Sequence, residues 1–174
     1  MRKSRVFLLI VILIVAVFYF FSIRPIPASI TYGVSFSKFH SDELQLNWKN
    51  VYSAILDDLK VRNLRLSAHW FMVEPQDGRF NFTELDFQMN EARKRDASVI
   101  LAVGRRLPGW PECHEPDWVR QESTETKQQK LLEYIEAVVN RYKKYDNIKY
   151  WQVENEPYLA FFSRSICGEL DEVF

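Results

Sequence analysis

SVILAVG, residues 98–104, decides the fold. From Val99 to Val103 it is apolar without interruption, and a strand without polar alternation has both faces covered, the habit of parallel sheets. Strand and helix patterns alternate outward from it. Upstream, Asn63 to His69 (NLRLSAH) alternates as a strand. Between the two lie the loop FMVEPQDGRFNF and a helix through Phe87, Ala92 and Arg95, for which Thr83 is the expected cap. Further back, Ile30 to Phe36 reads as a strand with Gly33 inside it, followed by a helix capped by Asn47 whose Trp48, Val51, Tyr52, Ile55, Leu56 and Leu59 form one apolar stripe. Downstream, a loop holding Leu107, Pro108, Trp110 and Pro111 leads to a helix near Thr124 to Tyr145, then to a fourth strand from Asn147 to Val153. Residues 169–174 (ELDEVF) look like the start of a fourth helix.

Alternating β and α elements with a continuous apolar strand imply an α/β fold with a parallel sheet, either a (β/α)8 barrel or a doubly wound open sheet. The pattern leaves both open. No glycine-rich phosphate loop follows the first strand, where Gly33 stands alone and Phe39 and His40 occupy the turn, so nucleotide binding is disfavoured. At 174 residues the chain suffices for a domain and falls short of the ~250 residues usual for a closed barrel.

The N-terminus is a separate object. Val6 to Phe21 is a run of sixteen apolar residues, preceded by Arg2, Lys3 and Arg5 and followed by Arg24. At about 1.5 Å per residue, the stretch to Ile23 spans roughly 27 Å, close to the hydrocarbon thickness of a bilayer. It is apolar all round, unlike a core helix with a polar face. Residues 1–5 therefore read as a cytoplasmic basic region, 6–23 as a transmembrane signal anchor or signal peptide, 24–29 as a short linker, and 30–174 as the globular domain. The charges place that domain outside the cytoplasm, membrane-anchored. Cleavage near Ala28 would release it instead, although Ile26 is bulky where a peptidase prefers a small residue. The chain has 23 basic and 23 acidic residues, and four of the basic ones flank the apolar run, so the globular part is mildly acidic. It shows no basic stripe interleaved with aromatics, and no nucleic-acid partner is expected.

Chemistry concentrates in WQVENEPY, residues 151–158. Pro157 cannot donate to a sheet ladder, so the strand ends here and leaves Glu156 at its mouth beside Asn155. In parallel α/β folds the reactive groups lie at the C-terminal ends of strands. Trp70, Trp110 and Tyr158 fall just after strand ends, where they are either packing residues or aromatic platforms lining a pocket. His69 and His114 are weaker candidates for lining the same pocket, and Arg65 is either a pocket residue or a core residue paired with an acid. Cys113 and Cys167 are the only cysteines, and export would place them in an oxidising compartment as a candidate disulfide. Neither has a second Cys or a His at ligand spacing, so no metal site is expected, and no cofactor. Asn81, Phe82 and Thr83 form a glycosylation sequon, with Thr83 better explained as a helix cap.

These residues resemble the N-terminal half of a (β/α)8 retaining glycoside hydrolase of the large clan that includes cellulases and β-galactosidases. ENEP at 154–157 matches the family's Asn-Glu-Pro motif at the fourth strand's end. The resemblance implies that Glu156 is the acid/base and that Asn155 holds the sugar's 2-hydroxyl. Arg65 matches an arginine that orients the nucleophile, Trp70 with EPQDGRFNFTELD resembles the segment that follows, and GRRLPGWPECHEP (104–116) resembles the substrate-side loop after the third strand. Glu154 departs from the pattern, standing where many members carry an aromatic residue.

In retaining hydrolysis one carboxylic acid protonates the leaving oxygen while a second carboxylate, about 5 to 5.5 Å away, attacks the anomeric carbon. Glu156 would be the first, kept protonated by partial burial and by the nucleophile's charge. The resemblance places the nucleophile at a seventh strand. Glu169, Asp171 and Glu172, the acidic residues beyond the motif, suit a helix start instead. The expectation is thus a half-barrel of four βα units with an apolar lining face left uncovered. The rest is either truncated or supplied as a complementary C-terminal half, with truncation favoured because the chain ends inside an apparent helix. The expected substrate is an oligo- or polysaccharide hydrolysed at O-glycosidic bonds, this fragment itself being inactive. The alternative is a non-catalytic, membrane-anchored carbohydrate-binding or interaction protein.

Overall fold

The computed structural model describes residues 2–22, 30–110 and 112–157, which form two compact units, Met1–Thr31 and Tyr32–Phe174. The expected linker 24–29, the cleavage site at Ala28, Tyr158, Cys167 and the acidic segment 169–174 lie outside the described residues.

The first unit is one helix, α1 (Arg2–Ser22). Its window Arg5–Ser22 has a mean hydropathy of 2.7, and by length and composition it can cross a membrane. The helix begins within the basic region, so Arg2, Lys3 and Arg5 extend it rather than precede it.

The second unit runs β1 (Val34–Phe36), α2 (Lys38–Glu43), α3 (Trp48–Asp57), β2 (Asn63–Ser67), α4 (Trp70–Val73), α5 (Thr83–Lys94), β3 (Ser98–Val103), a 3-10 turn at Asp117–Val119, α6 (Thr124–Tyr142) and β4 (Ile148–Val153). All neighbouring strands pair in parallel, in the order β1-β2-β3-β4. One face of the sheet buries Phe36, Leu64, Leu66, Val99, Leu101 and Val103 against helical residues such as Tyr52, Leu56, Met89, Leu131, Tyr134 and Val138 in a single core. Sequential strand order with the helices on that face is the winding of a barrel; a doubly wound sheet reverses its order and covers both faces. The choice left open by the pattern alone thus falls to a partial (β/α)8 barrel, the half-barrel that the resemblance implied.

The opposite face corrects an expectation. Ser35, Arg65, Ser67 and Gln152 share it with Ile100, Ala102 and Tyr150, so the lining is largely polar. It is the apolar helix-side face that is covered.

Local chemistry explains most boundaries. Asn47 caps α3 by accepting the Asn50 N–H, and Ser123 caps α6 by accepting from Thr126. The cap expected at Thr83 is not there: Thr83 is already helical, and Asn81 Oδ1 accepts the Thr83 N–H at 3.1 Å. β1 is shorter than its apolar pattern. At Gly33 the chain approaches β2 so closely that a Cβ would lie 2.8 Å from the Asn63 carbonyl oxygen, and before it the Tyr32 carbonyl accepts from the Asn63 side chain. Phe39 and His40, read as turn residues, lie in α2, whose cap is Ser37.

Candidate active site

The four strands end on one rim, and the segments that follow them build the site. Arg65 occupies the middle of β2 on the polar face, level with Ser35 of β1. Its Nε donates to Ser35 Oγ at 2.8 Å and its Nη1 to Gln152 Oε1 of β4 at 3.5 Å. Both partners are neutral, and no carboxylate pairs with the guanidinium among the described residues. Beside it opens a cavity of about 160 Å³ lined by Ser35, Ser37, His40, Arg65, Ser67 and Gly109.

After Val153 the chain turns sharply. Glu154 and Glu156 both take positive φ, 61° and 49°, a conformation costly to residues with a Cβ. Two interactions hold the Asn155 side chain: its Oδ1 accepts from Gln152 Nε2 at 3.2 Å and its Nδ2 donates to Glu112 Oε1 at 3.3 Å. Glu156, by contrast, is exposed. The partial burial expected to keep its proton is not supplied by the described residues.

The segment after β3 folds back on itself. Arg106 pairs with Cys113 as an antiparallel bridge, with Leu107 N–H to Glu112 O at 3.0 Å and His114 N–H to Arg105 O at 2.8 Å. Ion pairs stiffen it, the buried Arg105 with Glu115 at 2.9 Å and Arg106 with the half-buried Glu112 at 3.7 Å. Cys113 is disulfide-bonded. At the tip Trp110 is 61% exposed, while its carbonyl is bound to His40 Nε2 at 2.8 Å. Gly109 is obligatory here, because its φ is +112° and a Cβ would lie 2.5 Å from the His40 ring.

Three candidates fall elsewhere than expected. Trp70 has no exposed surface: it stacks on Tyr134 at 5.4 Å and donates to Glu74 Oε2 at 2.8 Å, so it is a core residue and no platform. His69 and His114 are 3% and 2% exposed, with rings 4.4 Å apart, enclosed by Phe39 and Phe71. Neither Nε2 has a hydrogen-bond partner among the described residues. Burial is the main cause holding the His69 pKa well below the ordinary imidazole value and that of His114 down at about 4. These neutral rings are buried, and His69 borders a small cavity of about 20 Å³ with Lys38, Ser67 and Gln88.

Glu154 is the residue sequence reading missed. Only 2% exposed, its carboxylate accepts the backbone N–H groups of Arg105 and Arg106 at 3.0 and 2.6 Å. Burial pushes its pKa up, and the two amides and two arginine charges pull against that shift. A Cβ at Gly104, where φ is +132°, would lie 2.5 Å from that carboxyl carbon. A glycine closing an apolar strand, with an acid at the corresponding end of the next strand, was the available signal.

A partial barrel with an Asn-Glu pair on its strand-end rim has the architecture of barrel hydrolases. Residues 33–161 match the model of glycosyl hydrolase family 10, and the chain belongs to that family. Solved structures share the fold at low identity. A catalytic mutant of a GH42 beta-galactosidase from G. stearothermophilus is 18% identical with a TM-score of 0.58, over 73% of this chain and 21% of that one. The exo-beta-1,4-mannosidase from Opitutaceae bacterium strain TAV5 is 14% identical at 0.59, over 76% and 26%. A GH5_18 protein from Streptomyces cattleya, in complex with GlcNAc, is 15% identical at 0.58, over 74% and 34%. The chain thus spans between 21% and 34% of the length of these proteins.

Proposed function

We propose that residues 30–174 contribute the acid/base side of a retaining glycosidase acting on O-glycosidic bonds of an oligo- or polysaccharide. The observation that carries this is Asn155 and Glu156 on the rim at the end of β4, with Asn155 held from two sides and Glu156 exposed to the rim. In this reading Glu156 gives its proton to the leaving oxygen and later takes one from water, while Asn155 meets the 2-hydroxyl. Arg65 lies below the rim with its charge uncommitted, suited to orienting an anionic nucleophile. Trp110 supplies an exposed ring for stacking on a sugar. The family match supports the chemistry.

The attacking carboxylate is assigned to none of the acids packed around this turn. Glu154 is committed to two amides, Glu112 to Arg106 and Asn155, and Glu115 to Arg105. A complementary segment carrying the later strands supplies it, and α1 tethers the domain to a membrane on its outer side, unless cleavage near Ala28 releases it. The proposed bridge joins Cys113 to Cys167.

Titration of the 174-residue chain with β-linked oligosaccharides tests this. Quenching of Trp110 fluorescence without turnover is expected. Turnover by the chain alone that disappears in Glu156→Ala would place the nucleophile within it and overturn the division of carboxylates. Absence of both binding and turnover would overturn the glycosidase reading.

A further inference from the structure

We propose that Glu154 is a positioning residue whose carboxylate sets the turn presenting Asn155 and Glu156 by gripping the Arg105 and Arg106 amides across the gap between β3 and β4. The inference rests on the assignment of Asn155 and Glu156 to the chemistry. The ladder between β3 and β4 ends at Val103 and Val153. Beyond it the chain leaves extended geometry at Gly104, whose φ is +132°, and the next two N–H groups, of Arg105 and Arg106, go to a side chain. Buried amides left unpaired are costly, and here a carboxylate takes both.

Glu154 fills that place. Its positive φ brings the side chain back over β3, one carboxylate oxygen to each amide, in the space a Cβ at Gly104 would occupy. The result is a small anion nest filled by the protein's own carboxylate. On either side the main chain is fastened as well, Glu154 N–H to Val103 O at 2.9 Å and Asn155 N–H to Arg106 O at 2.8 Å. Asn155 is therefore bound to the segment that also carries Trp110 through its neighbour's side chain, its own amide and its own Nδ2, while its Oδ1 is held by Gln152 of β4. Glu156 is the next residue along, and its direction follows from that anchorage. A carboxylate two positions from the proposed acid/base is thereby withdrawn from the chemistry and used to hold it in place.

Glu154→Gln tests the role, since an amide turns one acceptor into a donor facing an N–H. Hydrogen exchange at the Arg105, Arg106 and Asn155 amides should quicken about tenfold, the effect of one lost buried hydrogen bond, while Leu101 and Ala102 in β3 stay protected. Oligosaccharide affinity should fall by a similar factor. Unchanged exchange at the three amides, or an even loss of protection along β3, would overturn the inference. So would local loosening with unaltered affinity. If the wild-type chain binds no oligosaccharide, the functional reading fails, and exchange alone judges the grip. Should Glu154→Gln not fold, Glu154→Asp, too short to reach both amides, is read in the same way. In the wild type itself, rapid exchange at Arg105 and Arg106 would already sink the idea.

Discussion

Lowering the pH from 7 to 4 should weaken the domain through His114. Its ring is 2% exposed, and its pKa is brought from 6.5 to about 4, first by burial and then by repulsion from His40, against the raising effect of the Gly109 and Leu107 backbone. A base with a folded pKa below its unfolded value binds fewer protons when folded, so its contribution is complete above 6.5 and drains as the pH falls towards 4. At about 1.4 kcal/mol per unit, the loss is about 1 kcal/mol by pH 5.5 and about 3 kcal/mol by pH 4. His69 shifts in the same direction, lowered chiefly by burial and then by His114, His40 and Lys38. Urea unfolding of the wild type and of His114→Phe at pH 7, 5.5 and 4 isolates the term, because the carboxylates titrate in both proteins. The wild type should lose about 3 kcal/mol more than the variant across that range. Equal losses would refute the argument that a neutral imidazole is buried there at the expense of its charged form.

Two further outcomes follow from burial and exposure. Trp70→Ala should cost about 3 to 5 kcal/mol in thermal or urea unfolding, as a large core truncation, whereas Trp110→Ala should stay within about 0.5 kcal/mol and instead weaken oligosaccharide binding. The full chain should sediment with lipid vesicles, and deletion of residues 2–22 should release it; retention after deletion would deny α1 that role.

The parallel fold was legible because SVILAVG and its neighbours carry their burial in their periodicity. The barrel winding was not legible in periodicity, since strand order and the face covered by helices are tertiary facts, and it was the resemblance of ENEP and its neighbouring segments that pointed to the half-barrel. Asn155 and Arg65 were legible as residues; Arg65 is now tied to Ser35 and Gln152 on other strands and Asn155 to Gln152 and to Glu112 in the loop after β3, whereas Trp70 misled because position after a strand end does not reveal which way a side chain turns. At Thr83 the helix starts one residue earlier than the cap reading allowed, with the Thr83 N–H donated to the Asn81 side chain. The polar lining was written in Ser35, Arg65, Ser67 and Gln152, but a short strand such as β1 and a bulged one such as β4 blur the alternation that would announce it. Glu154 was hidden for a different reason: its partners are backbone amides, which no side-chain pattern encodes.

The grip between Arg105 and Glu154 joins residues 49 apart in sequence. Such a contact cannot form until α6 has crossed back and β4 has docked, and loop closure must precede the bond that rewards it. The rim therefore assembles late in folding, after the strands beneath it have paired. Changes at Glu154 should accordingly speed unfolding and leave the folding rate nearly untouched, which stopped-flow measurements on Glu154→Gln would read.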